Sequence, residues 1–399
     1  MFMYSTPSGE RIHIGIFGRR NAGKSSLLNA ISAQPSAIVS DMPGTTTDPV
    51  KRVMEILPLG PVVMIDTPGL DDTGALGKLR VEQAEKVLGQ VDIALVVLDK
   101  KRAPEGVEQE LLATLENKKV PFICVYNKAD LWENTMIGQG ENTLGAREIS
   151  VSAKTGFHIH ELKELLAAMM PEAKKETPLI SDLITAGDMV VLVTPIDSAA
   201  PKGRLILPQQ MVLREVLDCH CLALTVQDTE LAGALEALAV KPSLVVTDSQ
   251  AFGKVMKLVP EDVPLTSFSI LLARKKGNLK ALVEGAYQLD RLSDGDRLLV
   301  CEGCTHHRQC DDIGTVKLPA WIKKHSRKNL EFEFTSGGGF PADLSSYALI
   351  VHCGGCTLND KEIATRQQQA RAQDIPMTNY GTAIAHMNGI LERSLAVFG

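Results

Sequence analysis

Aromatic residues are scarce in this 399-residue chain, at 4%, and any surplus of basic charge is missing: 42 Lys and Arg stand against 48 Asp and Glu, for a formal net charge of −6. A protein whose main task is gripping a nucleic-acid backbone needs the opposite balance, with stacking platforms beside it. Histidine-rich tracts, the usual mark of a carrier of single metal ions, are also lacking. No apolar run approaches the roughly 18 residues that a membrane-crossing helix requires. The opening MFMYSTPSGERIHIG has no basic stretch followed by an apolar one, so no export signal and a cytoplasmic location are expected. In that compartment the eight cysteines are expected as thiols or metal ligands, not disulfides. There is no internal repeat, and Gly337-Gly338-Gly339, the one glycine run, reads as a loop.

What is present is an ordinary globular balance, 44% apolar and 23% charged, in a chain long enough for two or three domains. Over residues 11–170, short apolar runs at Arg11–Phe17, Val62–Ile65, Ala94–Leu98, Phe122–Tyr126 and Glu148–Val151 alternate with amphipathic stretches. That alternation predicts βα units around a mostly parallel sheet with helices on both faces, and a ligand site at the strands' C-terminal ends. Ile159–Met170 reads as a closing helix, followed by a charged, proline-bounded linker at Pro171–Pro178. A second α/β segment has strand candidates Val190–Thr194, Leu222–Val226 and Leu244–Thr247, between helical patterns at Gln209–Leu217, Glu230–Leu238 and Ala251–Leu258. Pro260-Glu261-Asp262 marks a further boundary. Beyond it, strands are expected near Thr266–Leu272, Leu298–Cys301 and Leu349–His352, and helices near Leu279–Leu292 and Lys361–Arg371. The expected division is 1–172, a linker at 173–180, a middle α/β domain at 181–262 and a C-terminal α/β domain at 263–399.

Gly18-Arg19-Arg20-Asn21-Ala22-Gly23-Lys24-Ser25 fits G-x-x-x-x-G-K-S between an apolar strand and a helical run. In such a loop Asn21, Ala22, Gly23, Lys24, Ser25 and Ser26 surround the phosphates, Lys24 reaching the β and γ groups and Ser25 ligating Mg²⁺. Asp66-Thr67-Pro68-Gly69 follows the next strand, where Asp66 is expected to hold the Mg²⁺ shell and the Gly69 N–H to sense the γ-phosphate. Asn127-Lys128-Ala129-Asp130 supplies a carboxylate, Asp130, that can accept from both guanine N–H donors. A site built on such bonds rejects the wrong base by about 10⁴-fold. Ser152-Ala153-Lys154 then covers the base. Leu70 stands where some GTPases carry a water-orienting glutamine, so no catalytic base is evident and slow hydrolysis is expected.

At the other end, Cys304-Thr305-His306 and His352-Cys353-Gly354-Gly355-Cys356 each follow a strand candidate. Four readings of these residues compete. Cys301, Cys304, Cys353 and Cys356 would make a Cys₄ zinc site, although the spacer between the pairs is far longer than in a zinc ribbon. Cys353 and Cys356 would make a redox dithiol. All could be unrelated buried thiols, or Cys304, Cys353 and Cys356 could hold an iron–sulfur cluster with its fourth position incomplete.

Two resemblances bear on these motifs. Gly44-Thr45-Thr46-Thr47-Asp48 resembles the switch segment of tRNA-modification and Era-type GTPases, which implies Mg²⁺ contact and a catalytic role for Thr46 beside Lys24 and Gly69. Asn21 matches that group's K⁺-binding asparagine, implying K⁺ stimulation; its downstream glutamate has no counterpart at Gly77-Lys78. Over its whole length the chain resembles the [FeFe]-hydrogenase maturation GTPases, through the Cys-x-His … His-Cys-x-x-Cys pattern, Lys202-Gly203-Arg204-Leu205-Ile206-Leu207-Pro208 and Pro376-Met377-Thr378-Asn379-Tyr380-Gly381. The resemblance implies a GTPase domain, a middle dimerisation domain and a C-terminal [4Fe-4S] domain. It further implies a homodimeric scaffold and carrier of a diiron precursor, partnered by two radical-SAM maturases and apo-hydrogenase. His306, His352 or Asp188 are candidates for the fourth ligand or its surroundings; Asp188 is the weaker one, and its alternative reading is a turn residue opening the Val190 strand. Cys301, Cys310, Cys219, Cys221 and Cys124 are read as structural thiols. The alternative is an RNA-modification or ribosome-assembly GTPase with a structural zinc site.

Overall fold

The computed structural model describes residues 8–32, 39–42, 50–69, 86–98, 104–132, 140–141, 147–169, 177–196, 205–303 and 312–399. The chain divides into two units, 1–174 and 175–399.

In the first unit, runs of β-branched and aliphatic residues form strands buried on both faces, as a parallel sheet under helices demands. The elements are β1 (Ile12–Gly18), α1 (Lys24–Ser32), β2 (Val39–Met42), β3 (Val50–Ile56), β4 (Gly60–Asp66), β5 (Ile93–Leu98), α2 (Val107–Asn117), β6 (Phe122–Tyr126), β7 (Gly140–Glu141), β8 (Arg147–Ser150) and α3 (Ile159–Ala168). The sheet runs β2-β3-β4-β1-β5-β6-β8-β7. It is parallel from β4 through β8, with β2, β3 and β7 antiparallel at its edges. Every residue of Ile-Ala-Leu-Val-Val-Leu in β5 is buried, between one core that takes in Leu27, Leu28, Ile31 and Leu162 and another that takes in Leu111, Leu112 and Leu115. The five strands expected from apolar runs are present. The edge strands were not anticipated: β3, Val-Lys-Arg-Val-Met-Glu-Ile, has charged residues breaking its apolar pattern and pairs through a hairpin with β4.

The second unit holds two four-stranded parallel sheets. Its elements are β9 (Met189–Val193), α4 (Leu207–Asp218), β10 (Leu222–Val226), α5 (Leu231–Ala237), β11 (Leu244–Thr247), α6 (Phe252–Leu258), β12 (Leu265–Ser267), α7 (Phe268–Lys276), α8 (Leu279–Ala286), β13 (Arg297–Glu302), α9 (Leu318–Ser326), β14 (Glu331–Ser336), β15 (Leu349–His352), α10 (Asp360–Ala372), β16 (Met377–Asn379), α11 (Tyr380–Met387) and α12 (Leu391–Leu395). The sheet orders are β10-β9-β11-β12 and β14-β13-β15-β16. One core joins them, with Val191, Val245 and Phe252 packed into the same cluster as Leu298, Val300 and Ile384. Leu265–Ser267 pairs with β11, so the first of these sheets continues past the boundary expected at 262.

Thr266–Leu272 was expected to be one strand; it is a three-residue strand that turns into a helix. The Ser267 hydroxyl accepts the Ile270 N–H at 3.2 Å and caps α7. Phe268, Ile270, Leu271 and Leu272 are then buried all round, and a short apolar run carries no period that separates strand from helix. The helix expected over Leu279–Leu292 ends at Ala286 and continues as a tighter turn over Tyr287–Arg291. Among the described residues, no helix is long and apolar enough to cross a membrane.

Candidate nucleotide site and metal centre

β1 delivers the glycine-rich loop to the start of α1. The Lys24 ammonium, only 8% exposed, curls back to donate to the Gly18 and Arg19 carbonyls, both at 2.8 Å, and so lies inside the loop. Ser25 Oγ donates to Asp66 Oδ2 at 2.7 Å, which brings the first helical turn against the end of β4. The other carboxylate oxygen, Asp66 Oδ1, is buried and accepts no hydrogen bond from the described residues. A hydroxyl beside a buried carboxylate oxygen with spare capacity is an oxygen donor set suited to Mg²⁺. Gly69 packs against the loop, since a Cβ there would come within 2.8 Å of the Arg20 nitrogen.

Asn127 is the node of this site. Its side-chain amide donates to the carbonyls of Ala22 and Gly23 at 3.4 and 3.3 Å, while its Oδ1 accepts the N–H groups of Lys128 at 2.8 Å and Ala153 at 3.1 Å. One buried side chain therefore sets the phosphate loop, the Asn-Lys-x-Asp loop and the Ser152-Ala153-Lys154 loop relative to each other. Gly23 is required there: its φ is +93° and a Cβ would collide with the Asn127 amide. Ser152 Oγ donates to Asp130 Oδ1 at 2.6 Å, orienting the carboxylate expected to read guanine. Lys128 Nζ reaches over the loop to the Asn21 carbonyl at 2.7 Å. Arg19 was missed from sequence: its Nε lies 3.2 Å from the buried Glu108 of α2, tying the loop to a second helix. Ser26 is exposed on the first turn of α1, and Lys154 is exposed beyond Ala153. Thr46, Leu70 and Gly77-Lys78 lie outside the described residues.

In the second unit, β13 and β15 are neighbours, with Cys301 opposite His352, so their C-terminal ends lie side by side. Cys353 Sγ accepts two backbone N–H groups, from Gly303 at 3.1 Å and Gly355 at 3.3 Å. The first of these brings the residue before Cys304 against the Cys353 sulfur; Cys304, His306 and Cys310 themselves lie outside the described residues. Gly355 has a φ of +62°, and a Cβ on it would press on Ile363 Cδ1 at 2.5 Å, so this turn needs glycine. Paired N–H donors on one sulfur favour thiolate over thiol and suit a soft metal or an iron–sulfur cluster.

Residues from outside the motif build the cradle. Lys276, buried at the end of α7, donates to the carbonyls of Gly355 at 3.0 Å, Cys356 at 3.4 Å and Leu358 at 2.7 Å, pinning the turn between the two cysteines. Burial raises the Cys356 thiol above its ordinary range, while the Lys276 charge and the N–H groups of Cys356 and Thr357 pull it down. The Tyr380 hydroxyl is buried, accepts and donates nothing among the described residues, and lies where a Cβ on Gly314 would strike both it and Glu302 Oε1. Burial, followed by the proximity of Cys353, Glu302, Asp312 and Cys301, pushes its pKa up.

His352 is fully engaged. Arg366 donates to its Nε2 at 2.9 Å, which leaves Nδ1 to donate to the Cys353 carbonyl at 2.8 Å. Burial, and then the Arg366 charge, lower its pKa to about 3, so it is a neutral support under the cysteine turn in this arrangement, with neither nitrogen free to ligate. Arg366 also binds the buried Glu362 at 2.6 Å and the Gly337 carbonyl at 2.7 Å. Asp188 uses both oxygens in the turn that opens β9, accepting the Thr185 N–H at 2.7 Å and the Ser243 hydroxyl at 2.8 Å. Cys301 is wholly buried, and burial pushes its thiol up to about 11. Cys124 and Cys221 are likewise buried thiols, and Cys219 is half-buried.

The loop geometry of the first unit defines a P-loop GTPase domain, followed here by an α/β unit carrying a cysteine turn. Comparison with known proteins agrees. The model of the 50S ribosome-binding GTPase family matches residues 13–128. The hydrogen maturase F dimerization domain matches residues 179–277 and the hydrogen maturase F tetramerization domain residues 280–397. Together these last two span more than half of the chain, which belongs to the hydrogen maturase F family. GTPase Era of Heliobacterium modesticaldum is 37% identical over 165 residues, 40% of this chain and 55% of that protein. The tRNA modification GTPase MnmE of Acetivibrio thermocellus is 34% identical over 167 residues, 41% of this chain and 36% of that protein. The chain thus spans about half the length of the first relative and about a third of the second. Among solved structures, the G domain of the T. maritima FeoB iron transporter is 24% identical, with 40% of this chain and 98% of that one covered at a TM-score of 0.30.

Proposed function

We propose that this protein is a GTP-binding, GTP-hydrolysing scaffold and carrier for assembly of the diiron subcluster of [FeFe]-hydrogenase. In this reading Cys304, Cys353 and Cys356 hold a [4Fe-4S] cluster, and the diiron precursor is cargo passed to apo-hydrogenase. The observation that carries it is the Cys353 sulfur with its two N–H donors at adjoining strand ends, in a chain that also has the nucleotide loops. A cluster held by three thiolates keeps one iron open to an exchangeable ligand, and that position is what a carrier needs.

The chain's own groups have defined tasks. Lys276 offsets the negative charge of the thiolates and closes the turn that carries them. His352, held by Arg366, keeps the Cys353 carbonyl occupied, and the Tyr380 hydroxyl is a buried donor available beside Cys353. Around the nucleotide, Lys24 and the loop N–H groups neutralise phosphate charge, Ser25 and Thr46 ligate Mg²⁺ with Asp66 behind them, and Gly69 senses the γ-phosphate. Asp130 selects guanine. Without a placed base, hydrolysis is slow and acts as a timer for docking to the two radical-SAM maturases and to the hydrogenase. Asn21 is the proposed K⁺ contact, and equal turnover in Na⁺ and K⁺ buffers would remove that role. The family's two C-terminal domains are described as dimerization and tetramerization modules, which supports assembly of the protein as a homo-oligomer.

Anaerobic reconstitution tests the cluster. A broad brown absorbance and a [4Fe-4S] EPR signal are expected, both lost in Cys304→Ala, Cys353→Ala and Cys356→Ala. A colourless protein with one tightly held zinc would refute the reading. Protein co-expressed with the two maturases is expected to activate apo-hydrogenase in vitro.

A further inference from the structure

Away from both sites, three side chains from separate elements of the second unit converge. Asp290 lies on the turn after α8, His325 in the last turn of α9 and His386 in the last turn of α11. His325 Nε2 is 2.7 Å from Asp290 Oδ1, and His386 Nε2 is 2.9 Å from Asp290 Oδ2. The three ligand atoms lie within 4.8 Å of one another. We infer that Asp290, His325 and His386 form a second metal site, independent of the cysteines, for a divalent first-row transition ion such as Zn²⁺.

The donor chemistry favours it. Two imidazoles and a carboxylate are a borderline ligand set that zinc and its neighbours accept, with a fourth position left for water. Donor atoms around tetrahedral zinc are about 3.3 Å apart at metal–nitrogen distances of about 2.0 Å, so an ion would enter as the two Asp290–histidine pairs open by roughly half an ångström and the two imidazole nitrogens, within 4.8 Å of each other, close toward it. His325 and His386 each stand in the last turn of a helix, where the partial negative charge of the terminal carbonyls favours a cation. Asp290 is 53% exposed, which provides an entry path, while the His386 ring, 13% exposed, is held edge-on against Tyr287 at 5.1 Å between centroids. Tyr287 is itself anchored to Glu392 at 3.0 Å. Lys254, Lys324 and Arg327 line the cavity that His325 also lines; their charge opposes a cation there and favours an anion as the fourth ligand. A bound ion would cross-link three elements far apart in sequence.

Cobalt titration of the full-length protein tests this. Excess Mg²⁺ is present to fill all-oxygen sites, which cobalt bound by imidazole does not share. One equivalent of Co²⁺ is expected to give visible d–d bands without thiolate-to-metal charge transfer, and to do so equally in Cys353→Ser. His325→Gln combined with His386→Gln should abolish those bands, and Asp290→Asn should weaken Zn²⁺ binding at least tenfold. Guanine-nucleotide affinity and circular dichroism of these variants serve as the control for folding. Zinc X-ray absorption of the Cys353→Ser protein, with both histidines intact, should show only nitrogen and oxygen ligands. Cobalt spectra with charge-transfer bands alone, or binding unchanged in the histidine variant, would overturn the inference.

Discussion

The nucleotide site and the cysteine cradle are organised in opposite ways. In the first, the supporting residues are themselves motif residues: Asn127 belongs to Asn-Lys-x-Asp and contacts both other loops, and Ser152 of the next motif orients Asp130. In the second, the turn that carries Cys353 and Cys356 is held by Lys276 and, through His352, by Arg366, which come from two helices and belong to no ligand pattern. A site made of loops at consecutive strand ends supports itself. A site made from two short turns must borrow its support from whatever the fold packs behind it.

Four substitutions would break or sharpen that contrast. Arg366→Leu should have the largest effect, because it strands the buried Glu362 and removes the donor to His352. Loss of one partner of a buried pair costs about 3–5 kcal/mol. Thermal unfolding should show that loss while GTP affinity stays as in the wild type. Asn127→Ala should act the other way round, loosening three loops at once. GTP affinity measured by calorimetry is expected to fall about 100-fold, equivalent to about 2.7 kcal/mol, with cluster loading unaffected.

Tyr380→Phe separates the cradle's stability from its function. Removing a buried hydroxyl that has no partner among the described residues should stabilise cluster-free protein by about 1 kcal/mol. In the same variant, iron release to a chelator from reconstituted protein is expected to accelerate, if that hydroxyl serves the bound cluster. Unchanged release would confine Tyr380 to packing.

Glu215 gives the smallest effect, a pH dependence. Its carboxylate is half-buried, which raises its pKa, but it accepts the N–H groups of Leu179, Ile180 and Ser181, and these hold it below the ordinary value. A folded-state pKa below the unfolded one means stability that is fully present above the unfolded value and disappears as pH falls through the folded one. Denaturant midpoints of cluster-free protein should therefore fall with acid in the wild type more steeply than in Glu215→Gln.

Much of the parallel framework was legible in advance, because β1, β4, β5 and β6 are largely apolar runs that must be buried on both faces. One strand that escaped notice, Glu331–Ser336, alternates charge with aromatics and is only partly buried. Phe268–Leu272 was misassigned because a run apolar on all sides carries no period. The nucleotide residues could be named because phosphate and guanine recognition demands particular groups at nearly fixed spacing. Lys276 and Arg366 could not, since a lysine at a helix end and an arginine within α10 look like solvated charges until the chain folds over them.

By itself, then, the sequence determined the nucleotide loops, the parallel strands behind them and the candidate thiols, since each depends on local spacing and burial. Only the tertiary structure set Arg366 against His352, closed the cysteine turn with Lys276 and brought Asp290 to His325 and His386. Those pairings bring together residues 14 to 96 positions apart, and no local rule sets which of them the packed core will bring within reach.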